Sequence, residues 1–285
     1  LERFANGPKL FFPFLGELPT PGNRRFRRAV SSLDTLVRSI IDQQRARGKD
    51  SGDLLSMLIA ARDDDGSAMT DTQLRDEVLT VFLAGHETTA LALTWTFLLL
   101  SQHPDVEGRL IAELSDVLGD RAPTLEDMPR LTYASHVISE SLRLYPPAWS
   151  LGREALRDTE LGGYAIPKGA QIWMFQWVTH RDARFFDEPE TFRPERWEGD
   201  LAKRLPKCAY FPFGAGPRIC IGGAFAQMEA VLLLTTIVQR YRVVVLDPAK
   251  AEPVPSITLR PKGGLRARLE PRLRQTEVRD QALRA

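Results

Sequence analysis

Between positions 21 and 47, Phe26, Val30, Leu33, Val37, Ile40 and Ile41 recur every three or four residues and arginines fill the opposite face. That period predicts an amphipathic surface helix with a solvated basic side. A second helix is expected over 54–61, opened by Ser51 or Asp53 and stopped by the turn Asp63-Asp-Asp-Gly66. Thr70 is a good N-cap for a long helix over 71–100, with Asp76 and Glu77 in its early turns. Pro104 and Gly119 frame a helix over 105–118 that carries Leu110, Ile111, Leu114 and Leu118 on one face. The next, over 131–144, is stopped by Tyr145-Pro-Pro147.

The pattern then changes. Residues 148–159 read as a strand entering a small sheet, with hairpin turns at Gly162-Gly163 and at Ile166-Pro-Lys-Gly169. Residues 171–178 form an apolar strand or short helix, followed by His180-Arg-Asp182, which is given a structural role. An apolar helix over 224–240 precedes a valine-rich strand over 241–246. Residues 256–260 and 265–269 look like strands paired around Gly263-Gly264. Residues 1–18 read as a loop or the remnant of an earlier element and 271–285 as a flexible tail, on a single domain spanning 1–285.

Composition narrows the class. At 285 residues, 43% hydrophobic and 26% charged, the chain is of the soluble globular kind and long enough for a sizeable core. A net charge of +1 gives no case for nucleic acid, and the arginine-rich stretch 266–284 reads as a solvated tail. Two cysteines make no disulfide framework, which fits a reducing compartment such as the cytoplasm. No membrane segment is visible: 81–100, the longest apolar candidate, is interrupted by Gly85-His-Glu-Thr-Thr89 and falls short of the roughly 18 residues a span needs. The chain begins at Leu1, so an anchor on a longer N-terminus stays open.

Two stretches carry candidate chemistry. Within the long helix, Ala84-Gly-His-Glu-Thr-Thr-Ala90 sets glycine and paired threonines between apolar flanks, lowering helix propensity. A threonine hydroxyl bonding back to the carbonyl four residues earlier opens the ladder, which makes either a kink or room for a small ligand. The second stretch, 211–223, packs four glycines, Pro212 and Pro217 around Cys220, just before the helix 224–240. The glycines permit positive φ, and the prolines stiffen the loop. The helix dipole and Arg218 favour a thiolate. Read alone, Cys220 is a buried apolar thiol, a nucleophile lacking a nominated histidine, or a metal ligand. Zinc would want several ligands at short spacing, whereas an axial haem thiolate needs no second cysteine.

Phe213-x-x-Gly216-x-Arg218-x-Cys220-x-Gly222 resembles the haem-binding loop of the cytochrome P-450 family, the haem-thiolate monooxygenases. Ala84-Gly-x-Glu87-Thr88 resembles that family's oxygen-activation motif, and Glu140-x-x-Arg143 with Phe192-Arg-Pro-Glu-Arg196-Trp197 resembles its two further signatures. The resemblance implies a mainly helical fold with small β-sheets, the cytochrome P-450 fold, of which the N-terminal part is missing. It implies that haem b (iron protoporphyrin IX) is bound by Cys220 as axial iron ligand, by Arg218 and Arg153 at the propionates, and by Phe213, Gly214, Gly216 and Gly222 in the loop.

Glu87 and Thr88 are the implied proton-delivering acid and alcohol, while His86 faces elsewhere on the wheel and takes a packed or surface role. Glu140, Arg143 and Arg196 are the implied buried network under the loop; on spacing alone, Glu140 and Arg143 would equally be a surface ion pair. Ala84, Ala148, Trp149 and Ile257 fall where the family lines its substrate pocket. The implied activity inserts one oxygen atom of O2 into an apolar small-molecule substrate. No flavin or nicotinamide fingerprint is present, so electrons come from a ferredoxin, flavodoxin or reductase. Lys203, Arg204 and Lys207 are either part of that partner's docking patch or a solvated loop. The rival readings are a peroxide-dependent enzyme, a haem-binding sensor or electron carrier, and an inactive truncated remnant.

Overall fold

The structure, a computed structural model, describes residues 18–48 and 50–272. Its backbone groups into two compact units, the first ending at Glu87 and the second starting at Thr88. The expected loop over 1–18 lies outside the described residues except for Leu18, and so does the expected tail beyond Arg272.

The first unit is built on α1 (Pro21–Arg47), α2 (Leu54–Ala60) and the opening turns of α3 (Asp71–Gln102). Thr20 Oγ1 accepts the Asn23 N–H at 3.2 Å, Pro21 opens the first turn, and Gly48 closes the helix at φ 61°. Of the two candidate caps for α2, Asp53 takes the role, its Oδ1 accepting the Ser56 N–H at 2.8 Å. Thr70 and Gln73 cap α3 reciprocally: Gln73 N–H donates to Thr70 Oγ1 at 3.2 Å and Thr70 N–H to Gln73 Oε1 at 2.9 Å. Val37, Ile41 and Leu74 are the buried centre of this unit.

The second unit holds the larger core. α4 (Pro104–Leu118), α5 (Thr132–Leu144) and the long helix α8 (Gly223–Arg240, after the short α6, Gln176–Thr179, and α7, Leu201–Arg204) pack around Leu110, Leu131, Val137, Ile138, Val231 and Leu234. The start of α5 is capped from another helix: Glu113 of α4 accepts the Tyr133 N–H at 2.6 Å and the Ala134 N–H at 2.9 Å. A carboxylate at a helix N-terminus satisfies donors the helix itself cannot.

Among the described residues, eight strands form four two-stranded antiparallel sheets. β1 (Leu151–Glu154) pairs with β4 (Gln171–Met174), and β2 (Thr159–Leu161) with β3 (Tyr164–Ile166) across the positive-φ pair Gly162-Gly163. The strand expected over 148–159 is therefore two strands. Buried Ala155 interrupts it, because its N–H and C=O bond the turn before β4, at Ala170 and Gly169 (3.0 and 2.7 Å). Residues 171–178 take both expected forms, β4 and then α6.

The last pairing differs from expectation. Residues 256–260 and 265–269 do not pair with each other. β6 (Pro253–Pro255) pairs with β7 (Leu259–Pro261), and β8 (Ala267–Pro271) crosses to β5 (Tyr241–Val245). Gly263 and Gly264 still take positive φ, but Lys262 N–H donates back to Glu252 C=O at 2.9 Å. That bond ties β7 to the β6 side and sends the chain on to β5. Arg272 continues this packing: it pairs with buried Glu107 at 2.5 Å.

Candidate functional site

The loop 211–223 is shaped by its backbone. Gly214 (φ 76°) closes a turn in which its N–H donates to Phe211 C=O at 2.9 Å, and Gly216 (φ 72°) opens a 3-10 turn through Arg218. Only these two of the four glycines use the left-handed region. Gly222 has φ −84° and Gly223 is needed for another reason. A Cβ on Gly223 would stand 3.2 Å from Phe213 Cγ. Phe213 thus lies directly on the start of α8 and packs into the main core behind it.

Cys220 is held at both backbone ends. Its N–H donates to Phe213 C=O at 2.8 Å, and its C=O accepts the Gly223 N–H at 3.2 Å, immediately before α8. The thiol is exposed, which removes the buried-hydrophobe reading. Its neighbours are exposed as well: Ile219 at 59%, Ile221 at 99% and Phe225 at 63%. Soluble proteins seldom leave such a cluster open without a partner for it. No three His, Cys, Asp or Glu side chains converge as a metal site among the described residues. A flat apolar group bound through a single thiolate fits this face better than a multi-ligand ion does.

Positive charge borders the face. Arg218 is exposed and has no ion pair among the described residues, and Arg153 on β1 donates only to the neighbouring Gly152 C=O, at 2.8 Å. A cleft of about 560 Å³ separates the β1–β4 pair from the loop and is lined by Leu151, Arg153, Trp173, Phe175, Phe211 and Ala215. Arg153 and the loop therefore share one cavity.

Beneath the loop lies a charged cluster cut off from water. Arg143 Nε and Nη2 donate to the two oxygens of Glu140 at 2.9 and 2.8 Å, with both side chains fully buried. Glu140 also accepts from Arg196 Nε at 3.2 Å, Trp197 Nε1 at 2.9 Å and the Arg193 N–H at 3.1 Å. The remaining Arg143 donors reach His180 C=O (2.9 Å), Pro189 C=O (2.6 Å) and Thr191 C=O (3.1 Å). Arg196 additionally donates to Asp187 C=O, and burial holds its guanidinium below the usual arginine range. The surface-pair reading of Glu140 and Arg143 does not survive this burial.

Two links from this cluster to the loop were not visible in the sequence. Tyr210 O–H donates to Ser139 C=O at 3.0 Å while its ring lies 4.4 Å from that of Trp197. The Phe211 N–H donates to His180 Nε2 at 2.9 Å. Aromatic and imidazole groups flanking the motifs were the available signal; their hydrogen-bond partners are 71 and 31 residues away.

Trp149 and Ile257 come to one region: Trp149 Nε1 donates to Ser256 C=O at 2.8 Å, beside Ile257, which is 56% exposed. Ala148 is half-buried next to them. On α3, residues 84–90 remain continuous α-helix rather than a break in the ladder. Ala84 is exposed and Glu87 half-buried at the end of the first unit; half-buried Thr88 opens the second. His86 is exposed and stacks on Phe82 at 6.5 Å.

The sequence pattern of the family described as Cytochrome P450 matches residues 3–266. Cyclooctatin synthase of Streptomyces melanosporofaciens is 44% identical over 260 residues, covering 90% of this chain and 56% of the relative. Pentalenene oxygenase of Streptomyces avermitilis is 39% identical over 265 residues, covering 93% and 59%. A crystal structure of a cytochrome P450 superposes with a TM-score of 0.79 at 30% identity, over 88% of this chain and 58% of that one. The chain thus spans between half and three-fifths of the length of these proteins.

Proposed function

Given that this chain belongs to the cytochrome P450 family, we propose that it carries the thiolate side of a haem monooxygenase site, with Cys220 as the iron ligand. The family's cofactor is haem b. The observation that supports this most is the exposed Cys220 thiol, fixed before α8 among exposed Ile219, Ile221 and Phe225. When bound there, the haem supplies O2 binding and activation, promoted by electron density from the thiolate.

The chain's own residues divide the remaining work. Phe213, Gly214, Gly216 and Gly222 hold the Cys220 backbone so that its sulfur faces outward. Arg218 and Arg153 offer guanidinium donors to the carboxylates on the rim of the group. The Glu87 carboxyl and the Thr88 hydroxyl hold and pass protons. Ala84, Ala148, Trp149 and Ile257 line the apolar substrate's position. The net reaction takes O2, two electrons and two protons, placing one oxygen in the substrate and releasing the other as water.

Pentalenene, the compound in one relative's name, guides the choice of substrate towards apolar, unsaturated organic molecules. The electrons come from a separate ferredoxin, flavodoxin or reductase, and two free cysteines suit a reducing compartment such as the cytoplasm. No helix among the described residues is long and apolar enough to cross a membrane. The test is the reduced carbon-monoxide difference spectrum of the chain reconstituted with haem. A red-shifted, thiolate-type Soret band is expected, and its absence overturns the assignment of Cys220.

A further inference from the structure

Two fully buried side chains beside the loop keep polar atoms without partners. Gln176 and His180 are each 0% exposed, and Gln176 Oε1, Gln176 Nε2 and His180 Nδ1 have no hydrogen-bond partner among the described residues. The two stand four residues apart on one helical turn, closed by the bond from His180 N–H to Gln176 C=O at 2.8 Å. That spacing puts their side chains on the same face. Buried polar atoms are otherwise almost always paired, so three orphans on one face point to a missing partner.

The protonation of His180 follows from its other contacts. Phe211 N–H donates to Nε2 at 2.9 Å, so Nε2 carries a lone pair. Burial, reinforced by the charges of Arg143 and Arg181, lowers the imidazole pKa to about 3 and keeps the ring neutral. A neutral imidazole has one N–H, which therefore sits on Nδ1. This donor, the Gln176 carbonyl oxygen and the Gln176 amide together make the two to four polar contacts a buried water requires.

We propose that Gln176 and His180 hold one buried water, and that this lock makes His180 a positioning residue for the loop that presents Cys220. The imidazole pins Phe211; the Phe211 C=O accepts Gly214 N–H at 2.9 Å, and the Phe213 C=O accepts Cys220 N–H at 2.8 Å. On its other side, the His180 carbonyl is held by Arg143 at 2.9 Å. His180 thus joins the buried Glu140–Arg143 pair to the cysteine loop. Its effect on the iron ligand rests on the haem-thiolate reading; the tautomer and the water do not.

The experiment uses the ¹⁵N-labelled chain, His180→Phe and His180→Gln. Phenylalanine keeps a ring against Tyr210 and Phe211 but removes the acceptor, whereas glutamine returns an oxygen near the Nε2 position. We expect His180 to show the neutral Nδ1–H tautomer from about pH 5 to about pH 8. The Phe211 amide should exchange ~10-fold or more faster in His180→Phe and recover in His180→Gln. With haem added, the share of carbonyl complex in the thiolate-type band should fall in His180→Phe and recover in His180→Gln. An Nε2–H tautomer, or Phe211 protection equal in all three chains, overturns the lock. If His180→Phe does not fold, the tautomer of the unsubstituted chain and Phe211 protection in His180→Gln decide. Absence of the thiolate band from the unsubstituted chain, with the expected tautomer present, overturns the haem reading while the lock stands.

Discussion

Glu140 and Arg143 meet through two hydrogen bonds, 2.9 and 2.8 Å long, with neither side chain exposed to any degree. Glu140 is also the shared acceptor for Arg196 and Trp197, and Arg143 bridges to the carbonyls of His180, Pro189 and Thr191. A buried pair of this kind need not stabilise relative to an apolar replacement, but half of it is much worse than either. Glu140→Gln leaves two guanidiniums at one neutral amide, and the expected loss is about 3–5 kcal/mol. Urea unfolding should show a lower midpoint with an unchanged slope. A loss under about 1 kcal/mol, the range of exposed pairs, would show that solvent reaches the cluster.

Arg143→Lys should be nearly as costly. One ammonium has three donors, which cannot reproduce five bonds spread over a carboxylate and three carbonyls. Near-native stability of this variant, by the same measurement, would mean that the point charge and not the planar fork holds the cluster together.

Cys220→Ala separates ligation from stability. The thiol is exposed, so its removal should change unfolding free energy by no more than about 0.5 kcal/mol. It should nonetheless abolish the thiolate-type carbonyl band completely. Loss of folding along with the band would instead assign Cys220 a packing role.

Gly223→Ala tests how the loop is seated. Its Cβ would press to 3.2 Å from Phe213 Cγ, and Phe213 reaches into the main core. A cost of about 1–3 kcal/mol is expected, and in the background of Phe213→Leu the cost should shrink, a coupling a double-mutant cycle measures. Equal costs in both backgrounds would show that the ring gives way freely.

Much of this arrangement was legible in sequence where local chemistry decides it. α1 announced itself by a steady apolar period over 21–47, and the cysteine loop by four glycines and two prolines in 13 residues. What stayed hidden depends on long-range burial. Glu140 and Arg143 have the same spacing as any surface pair, and the groups that close the water out, Phe186 over Arg143 and Trp197 on Glu140, come from 43 and 57 residues further on. β6 reads poorly because Pro253 and Pro255 suppress a strand signal, and proline is tolerated there only because the two-stranded sheet leaves an open edge. The Gly263-Gly264 turn was visible, but which strands it joins is set by β5, which ends at Val245, 18 residues before Gly263.

Thr88→Ala tests the proton path. Under the proposed activity, removing the hydroxyl next to Glu87 should leave electron uptake from the donor in place and divert it from product, so the ratio of product to electrons falls. Unchanged coupling would take Thr88 out of the mechanism. Glu87→Gln should slow turnover, since the amide cannot pass a proton.

His180 should also set the acid limb of stability. Its native pKa, near 3 because of burial and the charges of Arg143 and Arg181, lies below its unfolded value of 6.5. Below 6.5, the unfolded chain takes up a proton that the native chain refuses, so stability is fully present above that pH and falls as the pH drops towards 3. The slope approaches about 1.4 kcal/mol per pH unit. His180→Gln has no such proton to take up, and Phe211, Tyr210 and the carbonyl-bound Arg143 around it keep their places. Between about pH 6 and about pH 4.5, above the main carboxylate range, the native chain should therefore lose stability more steeply than His180→Gln by close to that slope. Parallel curves in urea titrations over this range would mean that the folded chain accepts a proton on His180, and with it a break in the bond to Phe211.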